Sequence, residues 1–507
     1  MASRTKKSVI NMASGVVAQV VTLLLSFVTR TIFIHFLSTE YLGINGLLTN
    51  ILTVLSFAEL GIGEAMTYAM YKPAKEENHV LMIQLLQLYK KAYTCIAFVV
   101  ALIGLILSFF LDVFVSEPPH IPESLQIIFW LYVLNNVCSY LLTYKKSILI
   151  AYQDTYVITA FQQAFSVTQQ IFQMFVLFMT HQYYLYLIVQ VVCTVANNVA
   201  ISCYVSKKFN WIKDVKPRDL PRESVKIIYR DVRALSISKI AGVVSNGADN
   251  IIISKLLGLT SVGLVSNYTL IINSLNAVLW RGLTGITCSF GNFNVDSTLE
   301  RKNALFDELY LCAYWLYALL CIGLMTLINP FILLWLGDEY TVSQPVVLAL
   351  VLIIYVGGLN FPLYTYRITL GMFDEVKWAF LASGILNIIF SIVFGLKYGL
   401  IGIYLATSIS RLCTSEIADG YCVYKYGLEK PAWKYGIRYF CYFVLTIGAY
   451  AATDFCVSLI KADGVVGFVI KTVMCVFVCN IIFLIVFCRT VAFKNLYKRV
   501  LTFIKKR

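Results

Sequence analysis

The residues of this 507-residue chain that could do chemistry are charged and amide side chains set inside long apolar runs. Arg30, Lys239, Lys255, Arg281, Arg411 and Lys471 fall within such runs, and Arg367 falls at the end of one. A cation at bilayer depth costs about 2.5 to 3.5 kcal/mol on insertion scales, so it faces a protein interior or a watery cavity unless it snorkels to a headgroup. In a cavity such a group can hold an anion; beside a carboxylate it closes an ion pair. Carboxylates are fewer. Glu59 and Glu64 flank Gly61 and Gly63 in FAELGIGEAM, and Asp249 precedes Asn250. They can load a proton or a sodium ion, or pair with neighbouring arginines. A third set is neutral: FQQAFSVTQQIFQMF carries Gln162, Gln163, Gln169, Gln170 and Gln173. Gln162, Gln169 and Gln173 recur at sevens and fours and therefore share one helix face. Such a face suits hydroxyl-rich ligands, and it also suits hydrogen bonding between helices.

The elements that position these groups are membrane helices. The chain is 59% hydrophobic and 13% charged, about half the charge of an average soluble domain. Apolar runs of about 20 residues, enough to cross a hydrocarbon core of about 30 Å, recur from end to end. The start, MASRTKKSVINMASG, leads into a full-length span without a convincing cleavage site, so no removable signal is expected. The 14 cysteines are scattered singly with no CxxC pair, and His35, His79, His120 and His181 are too far apart for a local metal motif. No metal and no cofactor are expected.

Fourteen helices are expected, at 8–35, 41–71, 86–111, 123–144, 156–180, 183–206, 231–256, 261–290, 305–329, 342–366, 378–396, 400–424, 437–460 and 465–488. With both termini in the cytoplasm, the outside loops hold only Lys397 and Lys461 of the 41 Lys and Arg residues. That asymmetry is the positive-inside pattern, and an error in the helix count would invert it downstream. The net charge of +14 therefore reports membrane orientation rather than nucleic-acid binding. The expected organisation is an N-terminal six-helix bundle (1–206), a basic, proline-broken cytoplasmic linker (207–230), a second six-helix bundle (231–426), and two additional helices with a basic tail (427–507).

The two bundles carry a faint internal repeat. At a shift of 220 residues TIFIHFLSTEYLGINGLLTNI falls on IIISKLLGLTSVGLVSNYTLI, pairing Gly43 with Gly263 and Leu37 with Leu257. At a shift of 221 Lys146 pairs with Arg367. Both copies start on the same side, which makes them parallel repeats about an axis along the membrane normal. The same register sets Arg30 opposite Asn250, beside Asp249.

Three segments resemble the multidrug/oligosaccharidyl-lipid/polysaccharide exporter superfamily, and its polysaccharide-flippase branch in particular. They are the first-helix arginine followed by LSTEYLGINGLL, WLGDEY at 335–340, and LNIIFSIVFGLKYGLIGIYLATSISR at 386–411. The resemblance implies an all-α polytopic membrane protein of about 14 helices. Two six-helix bundles would surround a central cavity open alternately to each side, with two further C-terminal helices. It implies a passenger oligosaccharide on undecaprenyl pyrophosphate, moved across the cytoplasmic (inner) membrane for surface polysaccharide. Polysaccharide polymerase and glycosyltransferases are the implied protein partners. On that reading Arg30, Arg281, Lys239, Arg411 and Arg367 would meet the pyrophosphate, which guanidinium groups can bind bidentately. Gln162, Gln169 and Gln173 would line the saccharide path. Glu59, Glu64 and Asp249 would couple transport to a proton or sodium ion. An Arg30–Asp249 ion pair is the structural alternative for two of them.

Other readings compete. Lipid II makes the same electrostatic demand as the oligosaccharide carrier. A drug or cation exporter should favour intramembrane carboxylates over arginines, the reverse of what is present. An integral membrane glycosyltransferase or polymerase usually needs sizeable external loops bearing acids or histidines, and here every external loop is short. No Walker loop, GxSxG or HExxH motif occurs, so no nucleotide hydrolysis or hydrolase chemistry is expected.

Overall fold

The computed structural model describes residues 21–55, 59, 62–114, 119–152, 154–214, 249–294, 298–370, 372 and 375–505. Among the described residues the regular structure is entirely helical. Nine helices there are long and apolar enough to cross a membrane, and Val21–Phe36 is a shorter apolar one. The chain is thus an all-α, multi-pass membrane protein, as its composition implies. It divides into two compact units, residues 1–266 and 267–507.

The first unit is built from α1 (Val21–Phe36), α2 (Thr39–Leu55), α3 (Ile62–Lys75), α4 (His79–Ser108), α5 (Leu125–Tyr140), α6 (Lys146–Ala151), α7 (Thr155–Thr180), α8 (Tyr183–Lys208), α9 (Asp249–Leu257) and the first turns of α10 (Leu259–Asn294). Two buried clusters hold it together. One joins Phe33 of α1, Leu47 and Leu48 of α2, Phe129 of α5, Tyr183 of α8 and Leu259. The other joins Met70 of α3, Met82 and Tyr89 of α4, Ile148 of α6 and Val205 of α8.

Polar contacts fix the corners. Glu40 at the start of α2 accepts from the His120 backbone N–H at 2.7 Å, and Tyr41 donates to Glu123. Where α5 ends, Asn198 of α8 donates to the carbonyls of Cys138, Ser139 and Leu141 at 3.1, 3.2 and 3.1 Å. A helix C-terminus leaves such carbonyls without intrahelical partners, and here a side chain from another helix satisfies them. Leu142 follows at φ 64°, an uncommon conformation for a bulky residue and one that turns the chain into α6.

The second unit continues α10 and adds α11 (Leu299–Leu336), α12 (Gln344–Thr369), α13 (Lys377–Tyr398), α14 (Leu400–Cys413), α15 (Ser415–Cys422), α16 (Trp433–Ser458), α17 (Gly464–Phe487) and α18 (Val491–Lys505). Its tightest joint is α13 to α14. Gly399 turns the chain at φ 61°, and a Cβ on Gly402 would collide with the Phe394 carbonyl. Large tyrosines fill the interior. Tyr310, Tyr314 and Tyr317 of α11 are each at most 1% exposed, and the Tyr317 ring fills the space a side chain at Gly358 would need.

Several expected spans are recovered within a residue or two, among them 378–396 as α13 and 465–488 as α17. Others differ. The expected helix 41–71 is described as Thr39–Leu55 and Ile62–Lys75, with Glu59 between them and residues 56–58, 60 and 61 outside the described residues. The expected helix 400–424 breaks at Thr414 into α14 and α15 and ends in a π-helical turn over Val423–Gly427. Most of the expected linker 207–230, the start of the first span and much of the seventh lie outside the described residues.

Candidate functional site

Arg30 lies in the second half of α1 and is half-buried. Its Nη1 donates to the Ser266 hydroxyl of α10 at 3.2 Å, and Ser266 donates onward to the Gly263 carbonyl at 2.6 Å. Among the described residues, the phenols of Tyr132, Tyr183 and Tyr186 are the titratable groups within electrostatic reach of the guanidinium. Tyr132 and Tyr183 pair at 3.0 Å between hydroxyls, and Tyr132 donates to Asn45 of α2 at 2.7 Å. Among the described residues Arg30 forms no ion pair; the expected alternative partner Asp249 is not bonded to it. Instead Asn250, next to Asp249, donates to the Gly46 carbonyl at 3.5 Å. A half-buried guanidinium has five N–H donors, and one hydroxyl cannot occupy them. The guanidinium thus has donors to spare beside neutral hydroxyls.

The glutamine-rich helix α7 packs beside it. Gln163 donates to Thr22 at 2.5 Å and Thr29 to Gln170 at 3.4 Å, a two-rung ladder in which both helices advance seven residues. Gln169 donates to Gln173 at 3.4 Å. Gln173 is 2% exposed and donates to the Tyr186 carbonyl of α8 at 3.2 Å. Gln162 is exposed. Of the expected saccharide face, Gln173 therefore serves an interhelical bond, Gln169 leans on it, and Gln162 is open.

Glu59 accepts a hydrogen bond from Tyr93, which is linked to Tyr89 at 3.4 Å between hydroxyls. A Cβ on Gly63 would lie 3.0 Å from the Tyr93 hydroxyl and 3.2 Å from that of Tyr89, so the glycine leaves room for this phenol–carboxylate group. Glu64 sits on α3, its side chain outside the described residues. Asp249 opens α9.

The second unit holds the remaining candidates. Arg281 is exposed on α10, and Arg411 is half-buried on α14. Lys239 lies outside the described residues. Arg367 is buried and its Nε pairs with Asp419 of α15 at 2.9 Å; its guanidinium also lies over the rings of Tyr364 and Phe380 at 5.6 and 5.0 Å. Asn360 donates to the other Asp419 oxygen at 3.1 Å. Arg367 is thus neutralised within its own unit, which leaves it less to offer a phosphate than Arg30. Buried Glu416, one turn before Asp419, completes an acidic pair that ranks below Glu59 and Glu64 as an ion-coupling candidate on sequence alone. Its signal was the i, i+3 spacing, which puts both carboxylates on one face.

Comparison with known proteins agrees with this architecture. A family described as "Polysaccharide biosynthesis protein" matches residues 8–280. Among solved structures, the lipid II flippase MurJ in an inward closed conformation superposes with a TM-score of 0.68 at 15% identity, covering 93% of this chain and 98% of that one. An inward-facing multidrug resistance MATE family transporter of the MOP superfamily gives 0.56 at 11% identity, covering 78% and 96%. No curated protein sequence matches. The family resemblance expected from the first-helix arginine and the 386–411 signature is borne out in its family and in its fold, which is similar to those of the MurJ flippase and the MATE transporter: the chain belongs to the polysaccharide biosynthesis protein family.

Proposed function

We propose that this protein is a flippase that moves an undecaprenyl-pyrophosphate-linked oligosaccharide across the cytoplasmic membrane by alternating access, supplying surface polysaccharide synthesis. The observation that carries the reading is Arg30, a cation within the apolar first helix, paired with no carboxylate among the described residues and donating instead to the Ser266 hydroxyl. A pyrophosphate must shed water to cross a bilayer, and preplaced guanidinium donors offset that loss. In this reading both termini are cytoplasmic, and fourteen spans form two parallel six-helix repeats, 1–206 and 231–426, with 427–507 appended. Gln162, Gln169 and Gln173 meet sugar hydroxyls, Arg281, Lys239, Arg411 and Arg367 assist the phosphate, and Glu59, Glu64 and Asp249 take the coupling ion. Polymerase and glycosyltransferases act on the same carrier before and after transfer.

The test is the carrier pool. Deleting the gene should leave undecaprenyl-linked oligosaccharide accumulating on the cytoplasmic face while surface polysaccharide disappears. An unchanged pool would refute the proposal. Accumulation of lipid II instead would reassign the passenger and keep the mechanism.

A further inference from the structure

A second charged pocket lies in the second unit, where α11, α16 and the elbow between α17 and α18 meet. It encloses about 510 Å³ and is lined by Asp307, Arg438, Tyr442, Thr490 and Asn495, with Leu311 and Phe487 at its apolar end. Arg438 pairs with Asp307 at 2.5 Å and stacks over the Tyr310 ring at 4.3 Å. Lys430 reaches the other Asp307 oxygen at 3.5 Å. Two cations thus share one carboxylate, Arg438 in the pocket lining and Lys430 beside it.

The adjoining segment extends that charge. Residues 489–507 carry seven Lys and Arg and no Asp or Glu. In α18 the apolar positions Phe493 and Leu496 recur at helical spacing, and Lys494 and Lys498 share another face. Phe493 stacks on Trp315 of α11 at 5.8 Å, which holds α18 against the unit, and Lys494 is exposed. A basic amphipathic helix that follows directly on a membrane span lies in the interface plane, where its cations meet anionic headgroups.

We propose that this pocket seats the phosphate headgroup of an anionic phospholipid from the leaflet beside α18. Arg438 and Lys430 would hold the phosphate, while Tyr442, Thr490 and Asn495 offer hydroxyl and amide partners to the polar head. The apolar end would admit the start of an acyl chain. The site does not depend on which passenger is carried.

Native mass spectrometry on the full-length protein tests it. Protein in detergent is titrated with phosphatidylglycerol, phosphatidylcholine, inorganic phosphate and undecaprenyl pyrophosphate. One phosphatidylglycerol should be retained at least tenfold more tightly than phosphatidylcholine, and millimolar phosphate should not displace it. Lys430→Gln, at a partly exposed position, should weaken retention about fivefold. Asn495→Leu should block the pocket, and Arg438→Gln should weaken binding further if the protein folds. Equal retention of the two phospholipids overturns the proposal, as does wild-type retention in both Lys430→Gln and Asn495→Leu. Displacement by phosphate alone would make it a free-anion site, and preferential exchange for undecaprenyl pyrophosphate a passenger site; each refutes the lipid assignment.

Discussion

Gly43 and Gly263 pack reciprocally within the first unit: a Cβ on Gly43 would strike the Leu259 carbonyl, and a Cβ on Gly263 would strike the Thr39 carbonyl. The two glycines are 220 residues apart, and so are Thr39 and Leu259. The same offset relates a second pair of contacts. Arg30 donates to Ser266 and Asn250 donates to Gly46, with Arg30 and Asn250, and Gly46 and Ser266, again 220 apart. Contacts exchanged in this way are what a local twofold axis between two copies of one helical hairpin would produce. They support the proposed parallel repeat more directly than the sparse identities that suggested it.

Alanine at either glycine should therefore be costly, and by a similar amount. The obstacle at each site is backbone, which cannot rotate away, so each substitution should destabilise the protein by about 1 to 3 kcal/mol. Thermal unfolding in detergent measures this. A lower melting temperature for both Gly43→Ala and Gly263→Ala, with Gly282→Ala, which meets nothing within 4 Å, as the unaffected control, is the expected result.

The twofold relationship also sharpens the role of Arg30. Its counterpart across the repeat is the neutral Asn250, so symmetry does not require a cation there. Arg30→Ala should reduce transport about ten- to a hundredfold, the worth of one or more charge-assisted hydrogen bonds, while protein levels hold. Arg30→Lys should recover only part, because an ammonium cannot make the bidentate contact. Ser266→Ala should cost little. Precursor accumulation in cells carrying each variant gives the ranking, and full activity in Arg30→Ala would remove the arginine from the phosphate path.

The ion pair between Arg367 and Asp419 tests a different physical balance. Both side chains are nearly sealed from solvent, 8% and 0% exposed. Asp419→Ala leaves a buried guanidinium and should destabilise by about 3 to 5 kcal/mol, with Arg367→Leu comparably harmful. Removing both, as Arg367→Leu with Asp419→Leu, should restore most of that loss, since neither stranded charge remains. A double-mutant cycle by thermal unfolding distinguishes this from a direct transport role, in which stability would recover and activity would not.

What could be read from sequence divides along the range of the forces involved. The long spans were legible because each is an autonomous apolar run: α13 and α17 follow their expected bounds closely. Even α7 (Thr155–Thr180), which its glutamines make too polar to rank among the apolar spans, matches its expected bounds of 156–180. Interruptions were not legible where a distant partner causes them. The expected helix 123–144 ends at Tyr140, where Asn198, far along the chain, takes its terminal carbonyls. The expected helix 400–424 breaks at Thr414, which is neither Gly nor Pro, just before the segment that carries Asp419 to Arg367. The site shows the same limit. Arg30 stood out as a costly residue in an apolar run, but its hydroxyl partner at Ser266 lies 236 residues away and has no local signature.

Glu59 offers the most direct test of ion coupling. Its carboxylate is held by Tyr93 rather than by a cation, and among the described residues it forms no ion pair. A carboxylate so placed can exchange a proton or a sodium ion without breaking a salt bridge, whereas one locked to an arginine could not. Glu59→Gln keeps the shape and the acceptor oxygen for Tyr93 but removes the exchangeable charge. If Glu59 carries the coupling ion, Glu59→Gln should still move substrate down its own gradient but lose its response to an imposed ion gradient. Tyr93→Phe should weaken that response without abolishing it. Reconstituted vesicles with a fluorescent lipid-linked saccharide and a controlled ion gradient provide the measurement, and wild-type gradient dependence in Glu59→Gln would assign the phenol–carboxylate group to packing between α3 and α4 alone.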